Sequence, residues 1–527
     1  MFEIAQLILE LRPDLRKRFA FHLPENADAW LGWLLTSGAL EYAALRDDPS
    51  LLPDAQAGGH GPDGKLTKLQ WLVWKARPDV QLALPLPRKT AEYLAWFYTH
   101  GLEELGYWRY LAAAERGLVA QHAEPWRSRI RATLEKVVQV PSPRVPFSER
   151  AFGVNLVGYA FGELGIGEDA RMAARALLAT RVPMTMLNFP PGADIPQRDR
   201  SMERHVSAQG AFGFNIFCMT ALENGRYYAE QGGSQFADRY NIGYWPWELS
   251  RWPVQWQKIV ELVDEVWVST RHAFDALAPV CSKPVYVMPM AVELGEVTAF
   301  CSRKLARAHF ALPATARLFC FSFDLNSSIH RKNPQACVDA FLHAFPKKAF
   351  PKAKVGLVIK VFRPAKRHAA WERLKALAAT DARIHIIEST LSRPDLLALY
   401  QACDCYLSLH RAEGFGRGLA EALQLGLHVI ATGYSGNVDF CHAPYADLVR
   451  YKLIKVKKGQ YPYGDGQVWA GADVDHAAKL MRHFVLGKHK KAAPVAWPEF
   501  AATGIGKRYR RRLKAIWSER LAKPKAG

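Results

Sequence analysis

"CYLSLHRAEGFGRGLAEALQLG", Cys405–Gly426, decides how this 527-residue chain folds. The apolar run Cys405–Leu409 reads as a buried strand. His410–Gly416 then form a glycine-rich turn at its carboxyl end, and Arg417–Gly426 reads as a helix stopped by a glycine. Glu413 and Glu421 bracket the turn, with seven residues and three glycines between them. Gly414 and Gly416, on either side of Phe415, let backbone N–H groups approach an anion at a helix N-terminus, where the dipole favours negative charge. The spacing leaves two readings open. In one, Glu413 is an acid favoured by the dipole and Glu421 faces solvent. In the other, the two acids hold hydroxyls on either side of an anion, the layout of a nucleoside diphosphate sugar.

Working outward, short apolar runs alternate with helix-length segments on both sides. "VNLVGYA", "PMTMLNF", "FNIFCMT", "VDEVWVST" and "VYVMPMAVE" form a first block; "LFCFSFD", "VGLVIKVF", "RIHIIES", "CDCYLSL" and "HVIATG" form a second. Such alternation predicts parallel sheets built from βαβ units. Two doubly wound, Rossmann-like domains in tandem are expected, residues 151–295 and 296–500, with ligands outside the carboxyl ends of the strands. Residues 1–150 differ in texture. "LRPDL" (Leu11–Leu15) returns as "ARPDV" (Ala76–Val80), and "WLLTSGALE" (Trp33–Glu41) returns as "WFYTHGLEE" (Trp96–Glu104). A pattern repeated after about 64 residues implies two similar helical units packed on one another. The Pro- and Gly-rich Asp48–Lys65 reads as the loop between them, and Val140–Arg150 as the linker to the first α/β block.

Charge and cysteine usage narrow the function classes. The net charge is +20, and the last 43 residues carry twelve Lys/Arg against two Glu. "KRYRRRLKAIWSERL" spaces Tyr509, Leu513, Ile516, Trp517 and Leu521 at helical intervals, so residues 501–527 are expected to form a basic amphipathic helix. Packing of its apolar face on the body, or contact with anionic lipid, are the readings kept. No nucleic-acid-binding motif accompanies the charge, and a nucleic-acid partner is not expected. The eight cysteines fall mostly in strand-like runs and read as buried reduced thiols. No run is long enough for a membrane span, and the start lacks a basic n-region, so a cytoplasmic protein is expected.

The Glu413–Glu421 pattern, set as "EGFGRGLAEAL", resembles family 4 of the retaining glycosyltransferases, which have the GT-B fold. The resemblance runs from about Phe152 to Leu521 and is carried further by "NLVGYAFGELGIGEDARMAARAL", "NSSIHRKNPQACVDAF" and "VIATGYSGNVDF". It implies a donor on the C-terminal domain and an acceptor on the N-terminal one. It also implies that Glu413 is the catalytic residue and contacts the donor sugar, that Glu421 holds the ribose, and that Arg331 and Lys332 hold the diphosphate. Fixed cations suit that place because the leaving group gains negative charge as the glycosidic bond breaks. The chain departs from the family in placing Asp324, not an arginine, directly after the first strand of the second block.

Lys360, alone in an apolar strand, is read as further cationic support for phosphate or as a strand-end charge. The turn "GYAFGELGIGE" (Gly158–Glu168) has the order G-x-x-G-x-G, unlike the dinucleotide fingerprint. Gly165 and Gly167 are placed by the resemblance near the donor phosphates. "NIGYWPWELSRWP" (Asn241–Pro253) gathers Trp245, Trp247 and Trp252 around Glu248. Trp247 and Glu248 are read as an acceptor surface, with an aromatic interdomain core left equally open.

The expected function is therefore transfer of a sugar from a nucleoside diphosphate sugar to a glycan or lipid-linked saccharide, with retention. The donor is a substrate; no cofactor and no metal site are expected. A bacterial polysaccharide setting is implied by the resemblance. The alternative is a non-catalytic scaffolding member of a polysaccharide assembly complex, docking partners through residues 1–150.

Overall fold

The computed structural model describes residues 4–19, 24–52, 59–107, 145–192, 195–295, 300, 302–349, 354–362, 368–487, 497 and 500–522. The first part of the Pro/Ser-rich linker, 140–144, and residues 53–58 of the inter-repeat loop lie outside the described residues. So do 488–496 and 523–527 of the basic C-terminal stretch.

Two six-stranded parallel sheets form the body. The front sheet contains β1 (Ala151–Gly158), β2 (Met184–Asn188), β3 (Phe212–Cys218), β4 (Tyr240–Tyr244), β5 (Glu265–Val268) and β6 (Val285–Val287) in the order β2-β1-β3-β4-β5-β6. The rear sheet contains β7 (Arg317–Phe323), β8 (Val355–Val361), β9 (Ile384–Glu388), β10 (Cys405–Ser408), β11 (His428–Thr432) and β12 (Ala446–Val449) in the order β12-β11-β10-β7-β8-β9. Both are doubly wound with helices on their faces, and the two domains face each other in the GT-B arrangement. The expected fold class is the one observed.

Three elements escaped the sequence reading. β4 was submerged in the aromatic stretch, and β12 follows a loop without a long apolar run. An antiparallel hairpin, β13 (Tyr451–Lys455) with β14 (Val468–Ala472), has a strand exposed along its whole length. Such a strand carries no burial pattern to read.

The strand order fixes where a ligand belongs. In the rear sheet the winding reverses between β7 and β10, which pair through Cys405↔Phe319 and Tyr406↔Cys320. Clefts at such a switch point, beyond the carboxyl ends of the strands, are where doubly wound sheets bind ligands. The loops leaving β7 and β10 carry Arg331, Lys332 and Glu413.

The N-terminal region is helical and repeats its contacts as well as its letters. Arg12 pairs with Asp14 at 2.8 Å and Glu41 at 2.6 Å; Arg77 pairs with Asp79 at 2.7 Å and Glu104 at 3.0 Å. Each unit bulges into a five-residue π-helical turn, Leu34–Gly38 and Phe97–Gly101. A Cβ on Gly38 or Gly101 would lie 2.9 Å or 3.1 Å from the ring of the same unit's Trp33 or Trp96. The tryptophan and glycine of the repeated motif are thus one packing unit. The first unit also docks on the front domain, where Leu7 lies over Gly225: a Cβ there would meet its Cδ1 at 2.8 Å.

The C-terminal helix, Ala502–Ala522, crosses back to the front domain. Gly506 lies against the backbone of Ala176 in the Gly165–Ala179 helix. Tyr509 donates to the Tyr244 hydroxyl at 3.2 Å, Arg512 pairs with buried Glu265 at 2.5 Å, and Trp517 packs on Phe147, Phe152 and Phe214. Its cations Lys507, Arg508, Arg510, Arg511 and Lys514 remain exposed. Among the described residues no helix is long and apolar enough to cross a membrane. Seven described cysteines are free thiols, and all but Cys281 are buried.

Candidate functional site

The turn after β10 is built as its glycines require. Gly416 has φ +93°, a left-handed conformation that costs glycine little, and it caps the Arg417–Gln424 helix. That helix stops at Gly426, φ +75°, where Leu427 N–H donates to Ala422 O at 2.9 Å and Gly426 N–H to Leu423 O at 3.0 Å. These two bonds are the Schellman termination, which satisfies carbonyls the helix would leave unpaired. The turn leans on the loop after β11. Glu413 N–H donates to Ser435 Oγ at 2.8 Å and Gly436 N–H to Glu413 O at 2.9 Å. A Cβ on Gly436 would strike the Gly414 carbonyl. Beneath, fully buried His410 lies 3.0 Å from Ser408 Oγ and 3.0 Å from Asn437 Oδ1, and burial lowers its pKa.

Glu413 is 8% exposed and carries two cations. Lys332 Nζ lies 2.5 Å from its Oε1 and Arg331 Nη1 3.1 Å from its Oε2. Burial pushes the Glu413 carboxyl up, but Lys332, Arg331 and His410 outweigh it and hold the pKa down to about 2. The Lys332 amine, by contrast, is lowered: its burial outweighs the attraction of an acid it shares with Arg331. Arg331 is buried, donating also to Ala412 O at 2.9 Å and Ser327 O at 3.2 Å. It braces the acid from behind, while the more exposed Lys332 flanks the cleft.

Glu421, 2% exposed, is held by Arg393, whose Nη1 donates to Oε1 at 2.7 Å. Arg393 stands at the start of the helix after β9, and its Nε reaches Glu168 of the front domain at 3.9 Å. Next to it, Arg417 donates through Nε to Asp169 at 3.0 Å. The Gly165–Ala179 helix therefore presents its N-terminal turn to the Glu421 side of the cleft. Gly165 has open space where a Cβ would be, whereas a Cβ on Gly167 would strike the Gly162 carbonyl.

From the front domain, Trp247 and Glu248 pack directly against Gly414. A Cβ on Gly414 would come within 3.0 Å of Trp247 O and 3.6 Å of Glu248 Cγ. Glu248 accepts from the Tyr461 hydroxyl at 2.7 Å and lies 3.7 Å from Arg331 Nη2. Thr270 Oγ1 donates to Gly414 O at 2.7 Å, and His272 Nε2 lies 2.8 Å from Glu248 O.

Of the residues chosen from sequence, Glu413, Lys332, Arg331, Gly414, Gly416 and Glu248 converge on one side of the cleft. Glu421, Gly165 and Gly167 lie on the other. Phe415 is turned away, packed on Phe440 at 5.0 Å and Phe500 at 6.0 Å, so that its backbone rather than its ring borders the turn. Trp247 is buried against Trp252, Trp256 and Tyr461, with Nε1 donating to Arg251 O at 2.8 Å. Lys360 is buried at the end of β8; its amine has no hydrogen-bond partner among the described residues and lies 3.1 Å from the Phe362 ring centre. Burial lowers its pKa to about 8, opposed by Asp324.

The sequence reading missed Arg393, Arg417, Asp169 and Tyr461. Arg393 shares only a helix start with countless surface arginines, and Tyr461 comes from the loop of the overlooked hairpin. Asp169 and Arg417 each lie inside quoted motifs, yet their pairing across 248 positions has no local signature.

Residues 328–443 match the family described as Glycosyl transferases group 1. No curated protein matches the chain. Among solved structures, it is similar to Anabaena Alr3699/HepE in complex with UDP and glucose, with 13% identity and TM-score 0.49 over 69% of this chain and 100% of that one. It is similar to sucrose-phosphate synthase from Thermosynechococcus elongatus, with 14% identity and TM-score 0.44 over 71% and 96%. A glycosyltransferase from Rickettsia africae is 11% identical, with TM-score 0.46 over 71% and 100%.

Proposed function

We propose that the protein is a retaining glycosyltransferase of the family 4 type, moving a sugar from a nucleoside diphosphate sugar to a glycan or lipid-linked saccharide. The observation that carries this reading is the buried Glu413–Lys332 pair at the switch point of the rear sheet, at the end of the turn that opens the Arg417–Gln424 helix. The match of residues 328–443 to the Glycosyl transferases group 1 family supports it.

In this reading the diphosphate lies at the turn, against Lys332 and the backbone N–H groups around Gly414–Gly416. A lysine ammonium has three donors, so Lys332 can keep Glu413 and still reach a phosphate oxygen. As the anomeric C–O bond breaks, charge moves onto the departing diphosphate, where the ammonium and the helix N-terminus stabilise it. Glu413, held ionised, orients sugar hydroxyls, and Glu421 receives the ribose hydroxyls. Lys360 adds charge from beneath, and Gly165 and Gly167 bring the front domain's turn close to the donor. The acceptor approaches from the Glu248 side.

A cytoplasmic location with peripheral contact to an anionic membrane belongs to the same reading, supported by the exposed cations of the C-terminal helix. So does a protein partner on residues 1–150. The deciding experiment is a thermal-shift screen against nucleotides and nucleotide sugars, followed by transfer assays with the stabilising donor. Stabilisation by one nucleoside diphosphate series, lost in Glu421→Ala, is expected. No shift with any nucleotide would overturn the reading.

A further inference from the structure

The short helical turn Ile329–Lys332 has two working faces. Arg331 and Lys332 point to Glu413, whereas Ile329 and His330 line a separate cavity of about 190 Å³ between the Pro334–Ala344 and Ala369–Ala378 helices. The other polar walls are Asn333, Gln335, Arg373 and Arg411. Three cationic or titratable side chains thus face one space, and among the described residues no carboxylate lines it. Neither Arg373 nor Arg411 enters an ion pair among the described residues, and His368 stands 6.2 Å from His330, ring to ring.

Arg411 is the informative member. Its backbone is fixed on both sides, N–H donating to Arg331 O at 2.8 Å and C=O accepting from Ala470 N–H at 2.9 Å. Its guanidinium lies 5.2 Å from the ring centre of fully buried Trp469, and its buried Nε has no partner. Stacking on an indole fixes the plane of the fork, but it does not neutralise the charge. Burying cationic surface without a counter-charge is costly, and here that cost is met beside a second guanidinium, Arg373, and the imidazole of His330. Burial, then Arg411, His368 and Arg373, all push His330 toward its neutral form. A site that holds positive groups together against their repulsion is arranged for an anion.

Size limits what that anion is. The volume far exceeds the roughly 10–15 Å³ a single water needs, yet falls short of the about 300 Å³ at which pockets for larger ligands begin. A whole nucleotide sugar does not fit; a phosphate group with part of a small sugar does. We propose that this cavity binds a phosphate group, as inorganic phosphate or as the phosphate of a small sugar phosphate, at a site distinct from the donor diphosphate.

The test is titration calorimetry of the full chain at low salt with inorganic phosphate and, separately, glucose 6-phosphate. Arg373→Gln changes an exposed side chain and leaves the fold unburdened; Arg411→Gln removes the stacked fork; Lys332→Met marks the donor side. Losing a charge-assisted contact should weaken phosphate binding by about tenfold or more in Arg373→Gln and Arg411→Gln, with Lys332→Met within twofold of the parent. Tighter binding of glucose 6-phosphate than of inorganic phosphate would identify a sugar phosphate as the ligand; equal binding would identify phosphate alone. Loss in Lys332→Met with Arg373→Gln unchanged would place the anion at the donor site and overturn the proposal. So would the absence of binding at millimolar concentration. Because the donor reading is judged by nucleotide shifts, either can fail without the other.

Discussion

Lys332 and Glu413 lie 81 positions apart in the chain, and their side chains meet at 2.5 Å where β7 and β10 end side by side. The pair places one positive and one negative group of fixed geometry at the mouth of the rear sheet. Arg331 closes the arrangement from behind and ties Glu413 to Glu248 of the front domain.

Glu413→Gln keeps the shape and removes the charge. Transfer is expected to fall by at least about 100-fold, the scale of losing one preorganised electrostatic group. Stability should fall as well, by about 3–5 kcal/mol, because Arg331 and Lys332 are left buried without their acid. Rates with the identified donor and the urea midpoint check both.

The same pair sets a pH dependence. Burial raises the Glu413 carboxyl, its cations overcome this, and the folded pKa of about 2 lies below the unfolded 4.5. A depressed carboxylate stabilises the fold fully above the unfolded pKa and loses that contribution as pH falls toward the folded one. Stability should therefore drop between about pH 4.5 and 2, and Glu413→Gln should flatten the drop. Urea denaturation at a series of pH values measures it.

Glu421→Ala removes the acid proposed for the ribose and leaves Arg393 with only the longer contact to Glu168 at 3.9 Å. Hydrogen bonds to a charged group contribute about 1.5–3 kcal/mol, so nucleoside diphosphate affinity should fall roughly 10- to 100-fold by calorimetry. The rate of saturated enzyme should change far less.

Lys360→Met separates stability from binding. The amine's pKa of about 8 in the fold lies below its unfolded 10.5, as burial demands. The unfolded chain then holds more protons between those values, so stability rises with pH across that window and the penalty is full below it. At pH 7 the methionine variant should melt higher than the parent. Its nucleotide affinity should be weaker if the amine serves the phosphates, and unchanged affinity would remove Lys360 from the donor site.

Gly506→Ala tests how the chain's end is attached. The new Cβ would strike the Ala176 carbonyl, a backbone atom that cannot swing aside. Overpacking of this kind costs about 1–3 kcal/mol or more. The melting temperature should fall, and protease should cut the Ala502–Ala522 helix first.

Local patterning determined the two doubly wound sheets, the helical repeat and the glycine turn, because burial periodicity and left-handed glycines are written residue by residue. It also exposed Glu413 and Glu421, whose spacing comes from one turn and one helix. Tertiary structure decided what those acids face. Arg393, Asp169 and Tyr461 reach the site through sheet order, domain contact and a hairpin whose exposed strand has no apolar rhythm. Arg331 and Lys332, grouped by sequence, both reach Glu413, and only the packing around them buries Arg331 more deeply than Lys332. Pairing across hundreds of positions depends on where the strands end in space, and no local run of residues encodes that.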